Sequence, residues 1–149
     1  MNGHREVAMT HRMIDDVRTF LLASGGEPIP PQPIMVNKFT KALWDKLRRE
    51  ELREFSTAFD ELHFLASAYS DDQIDEAYAN LAKELVDVIY VFIGTALRYG
   101  IPLDAVWDEV QRSNMAKVSG DVRRRDDGKI LKPEGWTPPD ILSIVRRVK

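Results

Sequence analysis

The chain contains no cysteine, which excludes disulfides and thiolate metal sites and fits a reducing compartment. Its three histidines are His4, His11 and His63. None follows a glutamate at Glu-x-x-His spacing, so the di-iron bundle, which needs that pair on two of its helices, is disfavoured. No apolar run reaches the ~20 residues needed to cross a bilayer; the longest, Leu85 to Ala96, is interrupted by Asp87. The stretch Met1-Asn2-Gly3-His4-Arg5-Glu6 lacks the apolar core of a signal peptide. A basic footprint is missing too. The net charge is −3, and the short run Arg123-Arg124-Arg125 reads as a solvated loop rather than a nucleic-acid surface. The expectation is a cytoplasmic protein that binds neither membrane nor nucleic-acid polymer.

What is present fits one domain of 149 residues, 44% apolar and 30% charged. A helical stripe (Val7, Met9, Met13, Ile14, Val17, Phe20, Leu21) predicts a first helix from Arg5 to about Leu22, ended by Ser24-Gly25-Gly26. Pro28, Pro30, Pro31 and Pro33 then impose an extended connector, read as a loop wrapped on the core. A long second helix is predicted from about Asn37 to Ala68. Its expected buried side carries Phe39, Ala42, Leu43, Leu47, Leu52, Phe55, Phe59, Leu62 and Leu65. Ser70-Asp71-Asp72 reads as turn and N-cap of a third helix running to Arg98. Gly100 closes that helix, and Pro102 opens a fourth that ends near Lys117. Asp127-Gly128 signals a tight turn or short hairpin, and a last short helix follows from Asp140 to Val148. The predicted fold is all-α, a four-helix bundle with an irregular C-terminal tail. Its parts are an N-terminal helix (1–24), a proline-rich loop (25–36), the central helices (37–117) and a tail (118–149).

The third helix is apolar almost all round between Leu85 and Ala96, which predicts burial and, given the excess, a covering second subunit. Asp87 inside that run must be paired, neutralised or bound to a metal. Glu84 shares its helix face at i, i+3. Upstream, Glu51 and Glu54 repeat that spacing, with Glu50 and Glu54 at i, i+4. The plain reading of Glu50, Glu51 and Glu54 is a solvated face paired with Arg48, Arg49 and Arg53. Two helices each presenting a carboxylate pair instead suggest an all-oxygen cage for a hard cation such as Mg²⁺, Mn²⁺ or Ca²⁺. Carboxylate-held Mg²⁺ commonly works on phosphates. Groups to hold a phosphate chain are offered by Asn114 and Lys117, at i, i+3, and by Lys129 and Lys132 near Trp136. The plain reading of Lys117 is a cation favoured at a helix C-terminus. Trp44 and Trp107 sit at core spacing, while Trp136, in a loop, either stacks on a base or seals the subunit.

Glu50-Glu51-x-x-Glu54 followed by Glu84-x-x-Asp87 resembles the signature of the all-α nucleoside triphosphate pyrophosphohydrolases, the MazG-like superfamily that includes phosphoribosyl-ATP pyrophosphohydrolase. The run from Asp87 to Leu97, Tyr99-Gly100-Ile101-Pro102, Arg112-Ser113-Asn114-Met115-Ala116-Lys117, Asp127-Gly128-Lys129-Ile130-Leu131-Lys132-Pro133 and Trp136-x-Pro138-Pro139-Asp140-Ile141 is similar to the deinococcal-type MazG-like dUTP pyrophosphatase branch. The resemblance spans about Leu47 to Ile141. It implies an all-α homodimer, or a tetramer built from dimers. The implied activity is Mg²⁺- or Mn²⁺-dependent cleavage of a nucleoside triphosphate, dUTP first, to monophosphate and pyrophosphate by metal-activated water attack on the α-phosphorus. By motif, Glu51, Glu54, Glu84 and Asp87 hold metal, and Glu50 binds a further ion or orients water. Asn114, Lys117 and Lys129 contact phosphates, with Arg112, Tyr90, Lys132 and Trp136 as further substrate-binding candidates. Relatives place a Phe-His pair on the first helix. Here Thr10-His11-Arg12 and Thr19-Phe20 do not reproduce it, so base preference stays open. The alternatives are phosphoribosyl-ATP as substrate, or a non-catalytic nucleotide-binding helical dimer.

Overall fold

The computed structural model describes residues 3–65 and 70–146. It is all-α, with four main helices and a short fifth: α1 (Gly3–Ala23), α2 (Lys38–Leu65), α3 (Asp71–Arg98), α4 (Leu103–Met115) and α5 (Ile141–Val145). Among the described residues there is no strand, only one antiparallel bridge, Arg124 to Ile130, at the expected Asp127-Gly128 turn. No single helix among them is long and apolar enough to cross a membrane. The predicted end of α2 at Ala68 falls outside the described residues, whereas α5 is shorter than predicted: it stops at Val145, with Arg146 already outside the helix, rather than running to Val148.

The caps explain the boundaries. Asn37 precedes α2, and its Oδ1 accepts the Phe39 and Thr40 amides at 2.9 Å each, meeting two donors that a helix start leaves orphaned. At α3 the Gln73 side chain reaches back to accept the Ser70 amide at 3.1 Å, the reciprocal half of a capping box. The far end of α3 closes in a Schellman motif: Ile101 N–H donates to Ala96 O (2.9 Å) and Gly100 N–H to Leu97 O (3.1 Å). Gly100 has φ +66°, and a Cβ there would collide with the Gln32 carbonyl, so close approach as well as backbone angle requires glycine.

That approach belongs to the proline-rich loop, which lies across the end of α3. Ile34 N–H donates to Tyr99 O at 3.1 Å, and the buried Arg98 guanidinium donates to the Glu27 carbonyl.

Helices α2 and α3 form the main hairpin, and α1 packs on α3. The core gathers Ile14, Val17 and Leu21 of α1, Trp44 of α2, and Ile93 and Leu97 of α3. A glycine inside a helix costs about 1 kcal/mol relative to alanine. Gly94 is kept because Trp44 lies in the notch it leaves, where an added Cβ would sit 2.5 Å from the ring.

Several expected core positions are on the surface. On α2, Phe39, Leu43 and Phe59 are exposed, Leu47, Leu52 and Phe55 are half-buried and Leu62 is buried. Trp107 on α4 is 55% exposed, against the expectation of core. The most apolar part of α3 is open as well: Leu85, Val86, Ile89 and Phe92 all face out. One chain supplies α3 with α1 and α2 and only a slight contact from α4, because the α3 and α4 axes diverge at a bend of 116°. Among the described residues, one side of α3 therefore has no cover within the subunit.

Candidate metal centre

In the antiparallel hairpin, Glu51 and Glu54 stand about as far before the α2–α3 turn as Glu84 stands after it. The packing accordingly brings one carboxylate oxygen from each of Glu51, Glu54 and Glu84 within 4.8 Å of one another. Asp87 joins them electrostatically. The Glu51 carboxyl is pushed above its usual range, first by burial and then by the negative charges of Asp87 and Glu54, with Lys83 opposing and Glu84 adding a smaller push. Before solvent screening, two carboxylates at such a distance repel by roughly 3 kcal/mol at an effective dielectric of about 20. A cation would relieve that repulsion, and the cluster could hold one.

The α2 arginines do not supply it. Arg48 and Arg49 bond instead to Asp45, at 2.6 and 3.1 Å. Lys46 takes Glu50 at 3.7 Å, which sets Glu50 apart from the other four acidic residues. Glu51 and Glu54 form no ion pair among the described residues. Lys83 does approach: its Nζ lies 3.0 Å from Glu84 Oε1 and 2.9 Å from Asp87 Oδ2, and those carboxylates hold the ammonium above the usual lysine range.

The carboxylate expected to be buried was Asp87, on the strength of its apolar neighbours. The structure reverses this. The Asp87 side chain is 38% exposed, whereas Glu84 is 7% exposed. Asp87's sequence neighbours point to the uncovered side of α3, while Glu84 points into the seam with α2. The second oxygen of Glu84, Oε2, is buried with no hydrogen-bond partner. A buried carboxylate oxygen left unpartnered costs several kcal/mol unless something meets it. An all-oxygen donor set with an orphaned buried oxygen fits a hard divalent cation. Glu51, Glu54 and Glu84 are the residues that could hold one; Asp87, the fourth expected ligand, lies near enough to act on Glu51 by its charge but is not within that group.

A second group of candidates assembles at the end of α4. Lys117 Nζ donates to Asn114 Oδ1 at 2.8 Å. The Trp136 ring carries the Lys132 ammonium at 4.2 Å and the Lys117 ammonium at 5.4 Å from its centroid. Its Nε1–H donates to the Ser113 carbonyl at 2.9 Å. Trp136 thus seals the tail onto α4 and gathers two lysines. Ser113, 1% exposed, is the anchor that sequence reading passed over. Arg112 is held by both oxygens of Glu109 at 2.8 Å, and Glu109 also accepts the Asp140 amide at 2.8 Å. Lys129 lies exposed at the tip of the 124–130 turn. Tyr90 packs edge-on to Phe20 of α1, ring centroids 5.7 Å apart. No hydrogen bond or ion pair among the described residues joins this lysine group to the carboxylates.

The Arg112 guanidinium, helped by the Asp140 amide, holds Glu109 down at about 2 from a usual 4.5. A depressed carboxyl stabilises the folded state above its unfolded pKa, and that contribution is lost as pH falls through the folded value. The contact that pins the tail should therefore weaken between about pH 4.5 and 2. The expected reading is loss of the hydrogen-bonded Trp136 indole N–H resonance over that range. The Glu109→Gln variant should be loosened already at pH 7 and change little more on acidification.

Residues 25–114 match the sequence model of the phosphoribosyl-ATP pyrophosphohydrolase family. No curated protein matches the chain. The matched segment contains the loop, α2, α3 and nearly all of α4, with all the carboxylates of the cluster. Matched over more than half its length and folded as an all-α bundle around that cluster, the chain belongs to the phosphoribosyl-ATP pyrophosphohydrolase family, within the MazG-like all-α NTP pyrophosphohydrolases.

Proposed function

We propose that this pyrophosphohydrolase is a divalent-metal-dependent enzyme that converts a nucleoside triphosphate, dUTP first, to monophosphate and pyrophosphate. The observation that carries the metal requirement is Glu84, which brings a buried, unpartnered oxygen, Oε2, to a carboxylate cluster shared with Glu51 and Glu54. Mg²⁺ or Mn²⁺ bound there would supply charge neutralisation for the phosphates and a water of lowered pKa. The chain's own carboxylates hold that charge in place on two packed helices, so the site is built before substrate arrives. Glu50, paired with Lys46, would orient water or take a further ion in this reading. Asn114, Lys117, Lys129 and Lys132 offer the departing pyrophosphate hydrogen bonds and positive charge. The choice of dUTP rests on the resemblance of the tail motifs to the dUTP pyrophosphatase branch.

The uncovered apolar side of α3, with Leu85, Val86, Ile89 and Phe92, supports a homodimer in which a second copy covers it. Such a dimer would give the lysine group of one or both subunits a route to the carboxylates. The absence of cysteine supports a cytoplasmic location.

The second reading is phosphoribosyl-ATP as substrate, favoured by the family match itself. Pyrophosphate release from dUTP, the other nucleoside triphosphates and phosphoribosyl-ATP, with Mg²⁺ and with chelator, separates the two. Chelator-sensitive release from dUTP above all others is the expected result. Release from phosphoribosyl-ATP alone would replace it with the second reading. Metal-dependent stabilisation without release from any of them would make the protein a nucleotide-binding bundle.

A further inference from the structure

Lys83 lies one residue before Glu84 and four before Asp87 on α3. The i, i+4 pairing with Asp87 is ordinary helix geometry. The bond to Glu84 is not, because adjacent side chains on a helix diverge by about 100°. The lysine stem has to curl over the helix so that one ammonium bridges both α3 carboxylates, at 3.0 and 2.9 Å. Among the described residues it is the one cation paired with any of Glu51, Glu54, Glu84 and Asp87; Lys46, Arg48 and Arg49 of α2 are engaged by Glu50 and Asp45 instead. It meets Glu84 through Oε1 and leaves Oε2 buried without a partner, while the Glu84 carboxylate also lies in the cluster with Glu51 and Glu54. The lysine side chain is 62% exposed and its Asp87 partner 38%, so the ammonium has open water to swing into.

We propose that Lys83 is a built-in counterion of the acidic site: its ammonium occupies the α3 side of the carboxylate cluster and competes with a divalent cation for Glu84 and Asp87. The proposal rests on the reading of the cluster as a divalent-cation site. Lys83 then sets the ion concentration at which the site fills. It also limits repulsion between Glu84 and Asp87 while no divalent ion is bound.

The test is Mn²⁺ binding to the full chain by calorimetry, comparing wild type, Lys83→Met and Lys83→Arg. Lys83→Met should bind Mn²⁺ about 3–10-fold more tightly, the factor expected for removing a competitor of exposed-pair strength. Lys83→Arg, which keeps the charge, should stay within about twofold of wild type. In chelator at low salt, Lys83→Met should melt below wild type, and saturating Mn²⁺ should remove the difference. Equal or weaker Mn²⁺ binding by Lys83→Met, with wild type binding normally, would overturn the counterion role and leave the metal site standing. Absence of Mn²⁺ binding by the wild type would overturn the metal reading, and the counterion role with it.

Discussion

Replacing Glu84 with glutamine should lower pyrophosphate release on the order of 10³-fold and at the same time raise the melting temperature of the metal-free protein. The two effects have one cause. Glu84 is the most buried member of a carboxylate cluster whose ligand atoms lie within 4.8 Å, and one of its oxygens has no partner. A loss of 10³ corresponds to roughly 4 kcal/mol of transition-state stabilisation, within reach of removing a ligand from a metal that neutralises phosphate charge. The amide is neutral and nearly isosteric, so the fold is kept. It removes one negative charge and can donate toward Glu51 or Glu54. Relief of a few kcal/mol of repulsion, discounted for solvent, should raise the metal-free melting temperature by a few degrees, at roughly 2–4 °C per kcal/mol for a chain of this size. Saturating Mg²⁺ or Mn²⁺ should stabilise the wild type by about 3 kcal/mol at 100 times its dissociation constant and the variant far less. Steady-state pyrophosphate release and thermal melts with and without metal read both effects. A variant with wild-type turnover, or one still stabilised fully by metal, would remove Glu84 from the site.

The largest loss of stability is expected from Trp44→Ala, at about 3–5 kcal/mol, the usual cost of emptying a large aromatic site in a core. Trp44 is 9% exposed, touches the core contributed by α1 and α3, and lies on Gly94. Alanine would leave a void against a glycine, a wall with no side chain to collapse into it. Set against a total stability of about 5–15 kcal/mol, that loss should lower the melting temperature by roughly 10 °C or more. Trp107→Ala is the control. Trp107 is 55% exposed, and its removal should cost the subunit fold about 1 kcal/mol or less. Chemical denaturation of both variants decides the matter. Equal losses at the two positions would mean that the core is misplaced.

The two tryptophans also mark how far sequence carries. Both sit at helical core spacing, and nothing local distinguishes them. What differs is that α2 lies along α3 while α4 diverges from it. The same holds for the carboxylates. Their i, i+3 spacing on two helices was legible, and so was the hard-cation chemistry of an all-oxygen set. Which one is buried was not, because the apolar neighbours of Asp87 face the uncovered side of α3 and Glu84 faces the α2 seam. Lys83 was readable only as half of an i, i+4 pair. Its bond to Glu84 shows only in the structure, because adjacent side chains on a helix point about 100° apart.

By itself the sequence determined the four main helices and the ends that caps mark, since caps, prolines and the left-handed Gly100 act over a few residues; the last helix, with no such stop, is shorter than its pattern suggested. It also determined the class of chemistry, since residue type and spacing decide what can bind a cation. Tertiary structure alone decided which faces meet: the burial of Glu84, the exposure of Trp107 and of the apolar α3 face, the sealing of the tail by Trp136 and Ser113, and the retention of Arg112 by Glu109. Burial and pairing of this kind are properties of surfaces brought together by packing, and a helix with apolar residues on most sides does not encode which side will be covered.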